Sequence, residues 1–355
     1  MFSNILSGAA GFPVADLGDE INQSLRFAAD SVLHRDFSTT ATSNTTGTFS
    51  FWVKKTGEAA EQTIVMRDGN HWFAAFPNTD ELSVRQSGSG FSSFGNAKYR
   101  DPSAWYHFVL SINSNTVTAY VNGTQISTTV TTDDIFTSST NSVRIGSEST
   151  SAASSNLDGY LAEFIFVDGQ ALTPSSFGET KNGVWIPKEI SGLTYGNNGF
   201  RLTFADSSSL GDDTSGNGND YTSSGLASTD VVLDSPTNNF CTINSIRESL
   251  VYNGSVTFSE ANLQSVDAGT TYSLHWTGTF GMSTGKWYWE VLAHTMGGTH
   301  ANIGICNEVH RVSTAGTGVF YGADGKRNPV TYFTGQTTYG DSYTSGDIIG
   351  VAFDA

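Results

Sequence analysis

The chain has 355 residues, 37% hydrophobic and 12% aromatic, which is enough to bury cores in two or three domains and excludes a disordered chain. Its formal charge of -17 sets up a field that repels phosphate backbones and anionic headgroups, which argues against nucleic acid or a membrane surface as partner. No segment is apolar for the roughly 20 residues that span a bilayer, and Met1 to Gly11 lacks the basic start and apolar run of a secretory signal, so synthesis and folding in the cytoplasm are expected.

Charged residues make up only 14% of the chain and Gly numbers 38; with Ser, Thr and Asn this composition suits strands joined by turns, and an all-β fold of two antiparallel β-sandwiches is expected. Residues 1–23 have few alternating apolar positions and read as an N-terminal arm. From 24 to 187 short alternating runs recur, at Phe49 to Val53, Thr63 to Met66, His71 to Phe76, Trp105 to Ile112, Thr116 to Val121 and Tyr160 to Val167. Alternation with period two means one buried face per strand, hence two packed sheets. Asn122-Gly123 between two such runs is a hairpin signal, and Thr173-Pro174 opens the one convincing helical turn.

Residues 188–245 read as a polar connector with a strand at Phe200 to Phe204 and an Asp/Asn/Gly loop from Asp206 to Asp220. A second β pattern fills 246–355, at Tyr272 to Trp276, Gly285 to Leu292, Ala301 to Ile305, Gly318 to Gly322 and Gly346 to Asp354. Alternation puts Trp287, Trp289 and Val291 on one face and Tyr288, Glu290 and Leu292 on the other. Cys241 and Cys306 lie too far apart for a disulfide framework and are expected to be small buried hydrophobes.

Five motifs occur in order: Trp105 to Val109, Tyr120 to Gly123, Val143 to Gly146, Leu157 to Asp168 and Ala171 to Pro174. Together they resemble the laminin-G/concanavalin-A-like jelly rolls, with some other antiparallel sandwich as the alternative. Gly285 to Val291, Asn302 to Ile305 and Gly346 to Asp354 resemble the SPRY domain, also a β-sandwich. The SPRY pattern normally continues into a further hairpin, so a longer native polypeptide or a partner strand is expected beyond Ala355.

Concanavalin-like folds also house glucanases, which carry an acid and a nucleophile about 5 to 9 Å apart. The nearest candidates, Glu163 and Asp168, are oddly spaced on one strand and so point to opposite faces. The seven histidines show no zinc spacing, and no Gly-x-Ser-x-Gly elbow stands out, so no enzyme is expected. Asp206, Asp212, Asp213, Asn217, Asn219 and Asp220 offer enough oxygens for Ca²⁺, although the same residues suit a plain loop. A sugar site needs an aromatic platform and a few polar groups; the candidates are Trp72, Phe91, Phe94 and Tyr99, with Gly88 to Gly95 as exposed rim.

A laminin-G-like module, a SPRY-like module and a short arm in one chain resemble the tail-fibre or appendage proteins of marine tailed bacteriophages. The resemblance implies a virion protein released by lysis, attached to other virion proteins through its arm, homotrimeric, and binding a host-surface glycan. Two alternatives stay open: a capsid decoration or cement protein without glycan binding, and a secreted bacterial adhesin or glycan hydrolase.

Overall fold

Runs of β-branched and aromatic residues punctuated by Gly, Asn and Asp build strands here, because such side chains fit a pleated surface and the small polar residues supply the turns. The computed structural model describes residues 20–28, 30–37, 39–57, 61–68, 71–136, 141–150, 155–245, 256–267, 277–296, 301–306, 318–329 and 337–355. Among these every regular element is a strand except two single 3-10 turns, Pro174–Ser176 and Ser228–Asp230. The first carries Pro at its start as expected, but the Thr173 hydroxyl pairs with Ser175 rather than capping the turn.

The strands of the first unit are β1 (Ser24–Phe27), β2 (Val32–Phe37), β3 (Gly47–Lys55), β4 (Gln62–Arg67), β5 (His71–Phe76), β6 (Ser83–Arg85), β7 (Phe91–Ser93), β8 (Tyr106–Asn113), β9 (Thr116–Val121), β10 (Thr124–Thr131), β11 (Asn141–Ile145), β12 (Gly159–Asp168), β13 (Gly178–Lys181), β14 (Val184–Pro187), β15 (Phe200–Leu202), β16 (Thr222–Ser224) and β17 (Val231–Val232). One sheet runs β10-β9-β8-β3-β12-β1-β17, with β15 also paired to β12; the other runs β16-β2-β11-β4-β5-β6-β7. Their inner faces meet in one core, where Phe49 stacks between Phe73 and Phe166 and Phe51 stacks on Phe164. Each fully buried Phe contributes about 1.5 to 3 kcal/mol of transfer free energy. The Asn122-Gly123 hairpin joins β9 to β10 with φ values of 46° and 77°, the pair of positive values that a type I′ turn demands.

The eight-stranded sheet departs from simple alternation. All nine residues of β3 are buried, because chain segments cover the outer face as well: Leu172, Phe177 and Ile190 pack over Val109 and Ile165, while Ile21, Trp185 and Val232 pack over Trp52, Trp105 and Tyr160. Residues 188–245, expected to be a connector, are therefore part of the sandwich and supply β15, β16 and β17. Strands of two or three residues have no readable period, and the segment that follows β17 is held by a buried clamp: Lys54 Nζ, with its side chain 0% exposed, donates to Asp234 Oδ2 (2.8 Å), Asn239 Oδ1 (2.8 Å) and the Phe240 carbonyl (2.6 Å). The described end of the arm is likewise tied down, since the Ile21 carbonyl accepts from Thr237 Oγ1.

In the C-terminal part, Lys286–Leu292 pairs with Ile348–Asp354, Val256–Ser259 with Gln264–Asp267, and a four-stranded sheet starts with Asn302–Cys306 beside Gly318–Gly322. Trp287, Trp289 and Val291 are half-buried and Tyr288, Glu290 and Leu292 exposed, the two faces read from the sequence. The expected strand Tyr272 to Trp276 lies outside the described residues. Cys241 and Cys306 are exposed, a correction to the expected buried positions: Cys241 sits in a loop, and Cys306 ends its strand.

Candidate functional site

The outer face of the seven-stranded sheet is built by strand register. Thr222 pairs with His34, His34 with Arg144, Arg144 with Met66, Met66 with Trp72, Trp72 with Arg85 and Arg85 with Phe91, a row that crosses every strand on one face. Directly paired residues of an antiparallel sheet share a face, so these side chains lie side by side at the ~4.8 Å strand spacing. Met66 and Trp72 form a buried floor. The Arg85 guanidinium lies 4.4 Å from the Trp72 ring centroid and 5.3 Å from that of Phe91, and its Nε donates to the Ser89 carbonyl. A second row, Thr63, Ala75, Ser83 and Ser93, runs beside the first. There Ser93 Oγ and Lys98 Nζ donate to the two Glu81 carboxylate oxygens, at 2.7 and 2.6 Å, and these bonds hold the carboxyl below the usual carboxylate range.

The four aromatic candidates separate on this geometry. Phe91 is half-buried on edge strand β7 and reaches solvent at the end of the row. Trp72 is 4% exposed, edge-on to Phe91 and capped by Arg85, with its indole N–H given to Thr63 Oγ1. Phe94 (0% exposed) and Tyr99 (7%) belong to the core against Phe76 and Phe108 and offer no platform; alternation resumes after β7 and turns Phe94 inward. The Gly88 to Gly90 tip is exposed, as expected of a rim. Sequence reading missed Arg85, Arg144 and His34, whose signal was parity: each alternates with core residues Val84, Val143 and Leu33.

The Asp206–Asp220 loop spends its oxygens internally. Asp213 accepts from the Arg201 and Ser215 amides through Oδ1 and from Asn219 N and Ser215 Oγ through Oδ2; Asp220 accepts from Asp213 N, and Asp206 from the amide and hydroxyl of Ser208. Asn217 and Asn219 both donate to the Gly199 carbonyl, and Asn219 Oδ1 accepts from Arg35. Asp212 makes only a backbone turn contact, its amide donating to the Ser209 carbonyl. Among the described residues no three His, Cys, Asp or Glu side chains gather where they could hold a metal.

Groups with catalytic potential are held in place. A β-bulge between Ala162 and Ile165 in β12 puts Glu163 at φ 46°, where it pairs with Arg201 at 2.9 Å, while buried Asp168 accepts from the Thr42, Ser43 and Asn198 amides. On the outer face of the other sheet a shallow cleft lined by Ser50, Trp52, Glu163 and Lys188 has His107 in its floor. His107 Nδ1 accepts the Trp185 indole N–H (3.0 Å), so the ring proton sits on Nε2 and is donated to Ser50 Oγ (2.9 Å). With its lone pair engaged and burial pushing its pKa down to about 3, this imidazole cannot take a proton from Ser50.

Residues 28–176 match the family model Laminin_G_3, described as the Concanavalin A-like lectin/glucanases superfamily, and the two packed antiparallel sheets of the first unit are consistent with a jelly-roll β-sandwich. No curated protein sequence matches the chain. Similar solved structures include a candidate carbohydrate binding protein from Bacteroides ovatus (14% identity, TM-score 0.44, 61% of this chain and 60% of that one). Others are domain 4 of AbnA, an extracellular arabinanase from Geobacillus stearothermophilus, in complex with arabinotriose (22%, 0.31, 38% and 65%), and a heptameric SAP-like pentraxin from Limulus polyphemus (15%, 0.34, 50% and 100%). The chain spans less than two thirds of the length of the first two.

Proposed function

We propose that the chain is a non-catalytic, lectin-like glycan-binding protein whose ligand lies on the outer face of the seven-stranded sheet. One observation carries this reading: half-buried Phe91 stands beside Arg85 and the Ser93, Glu81 and Lys98 cluster, which together supply the apolar face and polar groups that a sugar ring requires. The matched lectin/glucanase family model supports it, and the engaged state of Glu163, Asp168 and His107 favours binding over turnover. A glycan array probed with the full chain and with Phe91→Ala tests it. Binding to a defined glycan class that weakens about three- to tenfold in the variant is expected. Equal binding by both proteins would move the site elsewhere.

We further place this protein in the virion of a tailed phage, as a tail fibre or appendage attached through its N-terminal arm, self-associated as a trimer and carrying a SPRY-like C-terminal module. The order of modules in the sequence supports this reading, and many copies on one particle would raise a weak sugar affinity to useful avidity. Cryo-EM of the native assembly decides it. The arm seated in a tail protein fits the proposal, whereas both units lying flat on a capsid lattice would make the chain a decoration protein.

A further inference from the structure

Among the described residues, neither arginine of the transverse row has a carboxylate partner. Arg26, Arg67 and Arg201 each pair with an acid, whereas Arg85 bonds the Ser89 carbonyl and lies against the Trp72 and Phe91 rings, and Arg144 bonds the Glu148 carbonyl. A guanidinium that meets no carboxylate keeps donor capacity for an anion from outside the fold, and here two such groups lie in one row. The arginines are three strands apart in register, about 14 Å from backbone to backbone at the usual strand spacing.

Arg144 Nε and the neighbouring His34 Nδ1 are buried without a hydrogen-bond partner. The polar capacity of this end of the row is therefore not fully used by the protein's own groups. At the other end Arg85 is held over the Trp72 ring with Nε anchored on the Ser89 carbonyl, which leaves both Nη groups as a fork. A planar fork meets a carboxylate or sulfate through two parallel hydrogen bonds. Asp36, whose strand partner is Ser142 in the adjacent row, is exposed, and among the described residues it forms no ion pair with Arg144.

We infer that the ligand of this face is an acidic oligosaccharide whose anionic groups pair with Arg85 at one end of the row and Arg144 at the other; the inference rests on the glycan-binding reading above. The test is an array carrying uronate, sialylated, sulfated and neutral glycans, probed with the full chain, Arg85→Gln and Arg144→Gln, each checked by thermal melting for an intact fold. Expected are acidic hits, lost on raising salt from about 0.05 to about 0.5 M, and at least about tenfold weaker binding in each variant. The uronate and sulfate arms tell the two anions apart. Neutral hits that ignore both substitutions would overturn the acidic ligand and leave glycan binding standing. An array with no hits would overturn both.

Discussion

Lowering the pH from 7 to 5 should unfold the first unit more easily, and His107 sets much of the size of the effect. Its ring lies between Trp52 (centroids 4.6 Å apart) and Trp185 (5.9 Å), and both ring nitrogens are hydrogen-bonded in a neutral, Nε2-protonated tautomer. Protonating Nδ1 would break the Trp185 bond and bury a charge, so burial pushes the pKa down to about 3. The unfolded chain takes up that proton near the ordinary value of about 6.5 while the native state refuses it, so the contribution is complete above that pH and is lost as pH falls toward 3. At about 1.4 kcal/mol per unit, the drop from 6.5 to 5 removes about 2 kcal/mol. His71, lowered to about 4 by burial and by Arg67, adds to the loss in the same direction. Urea denaturation followed by tryptophan fluorescence at both pH values measures the change, and ¹⁵N NMR of the imidazole reads the tautomer. Equal stability at pH 7 and 5, or a proton on Nδ1, would refute the reasoning.

Asp234→Ala should cost about 3 to 5 kcal/mol, because it strips the carboxylate from buried Lys54 and the acceptor from the Trp105 indole. Adding Lys54→Met should recover much of that loss in the same denaturation assay, whereas additive costs would show the two residues to be uncoupled. Asp213→Ala should cost about 1 to 3 kcal/mol by orphaning the Arg201, Ser215 and Asn219 amides, as read by thermal melting. Since those oxygens are already engaged, EDTA should leave the melting temperature of the wild type unchanged, and a clear drop would mean that a cation holds the loop.

Much of the first unit was legible because long strands carry their own signal. The runs at Phe49, His71, Trp105, Thr116 and Tyr160 and the Asn122-Gly123 turn fall where alternation and turn chemistry put them. What escaped depends on contacts distant in sequence. The segment that follows β17 is held because Lys54 reaches Asp234, 180 residues away, and the bulge at Glu163 is invisible to a period-two reading. The site was half legible for the same reason. Phe91 could be suspected from its Gly/Ser-rich rim, but the row joining it to Arg85, Arg144 and His34 is a product of register across non-consecutive strands. The Asp/Asn loop was ambiguous in the sequence because oxygens that suit a cation suit backbone amides equally well, and in the structure Asp206, Asp213 and Asp220 accept from such amides.

The most direct test of the account is a crystal structure of the full chain soaked with the strongest oligosaccharide from the array. The account predicts density for an intact sugar beside Phe91 and Arg85, extending toward Arg144 across the seven-stranded sheet. Density in the cleft over Ser50 and His107, or a cleaved ligand, would contradict it.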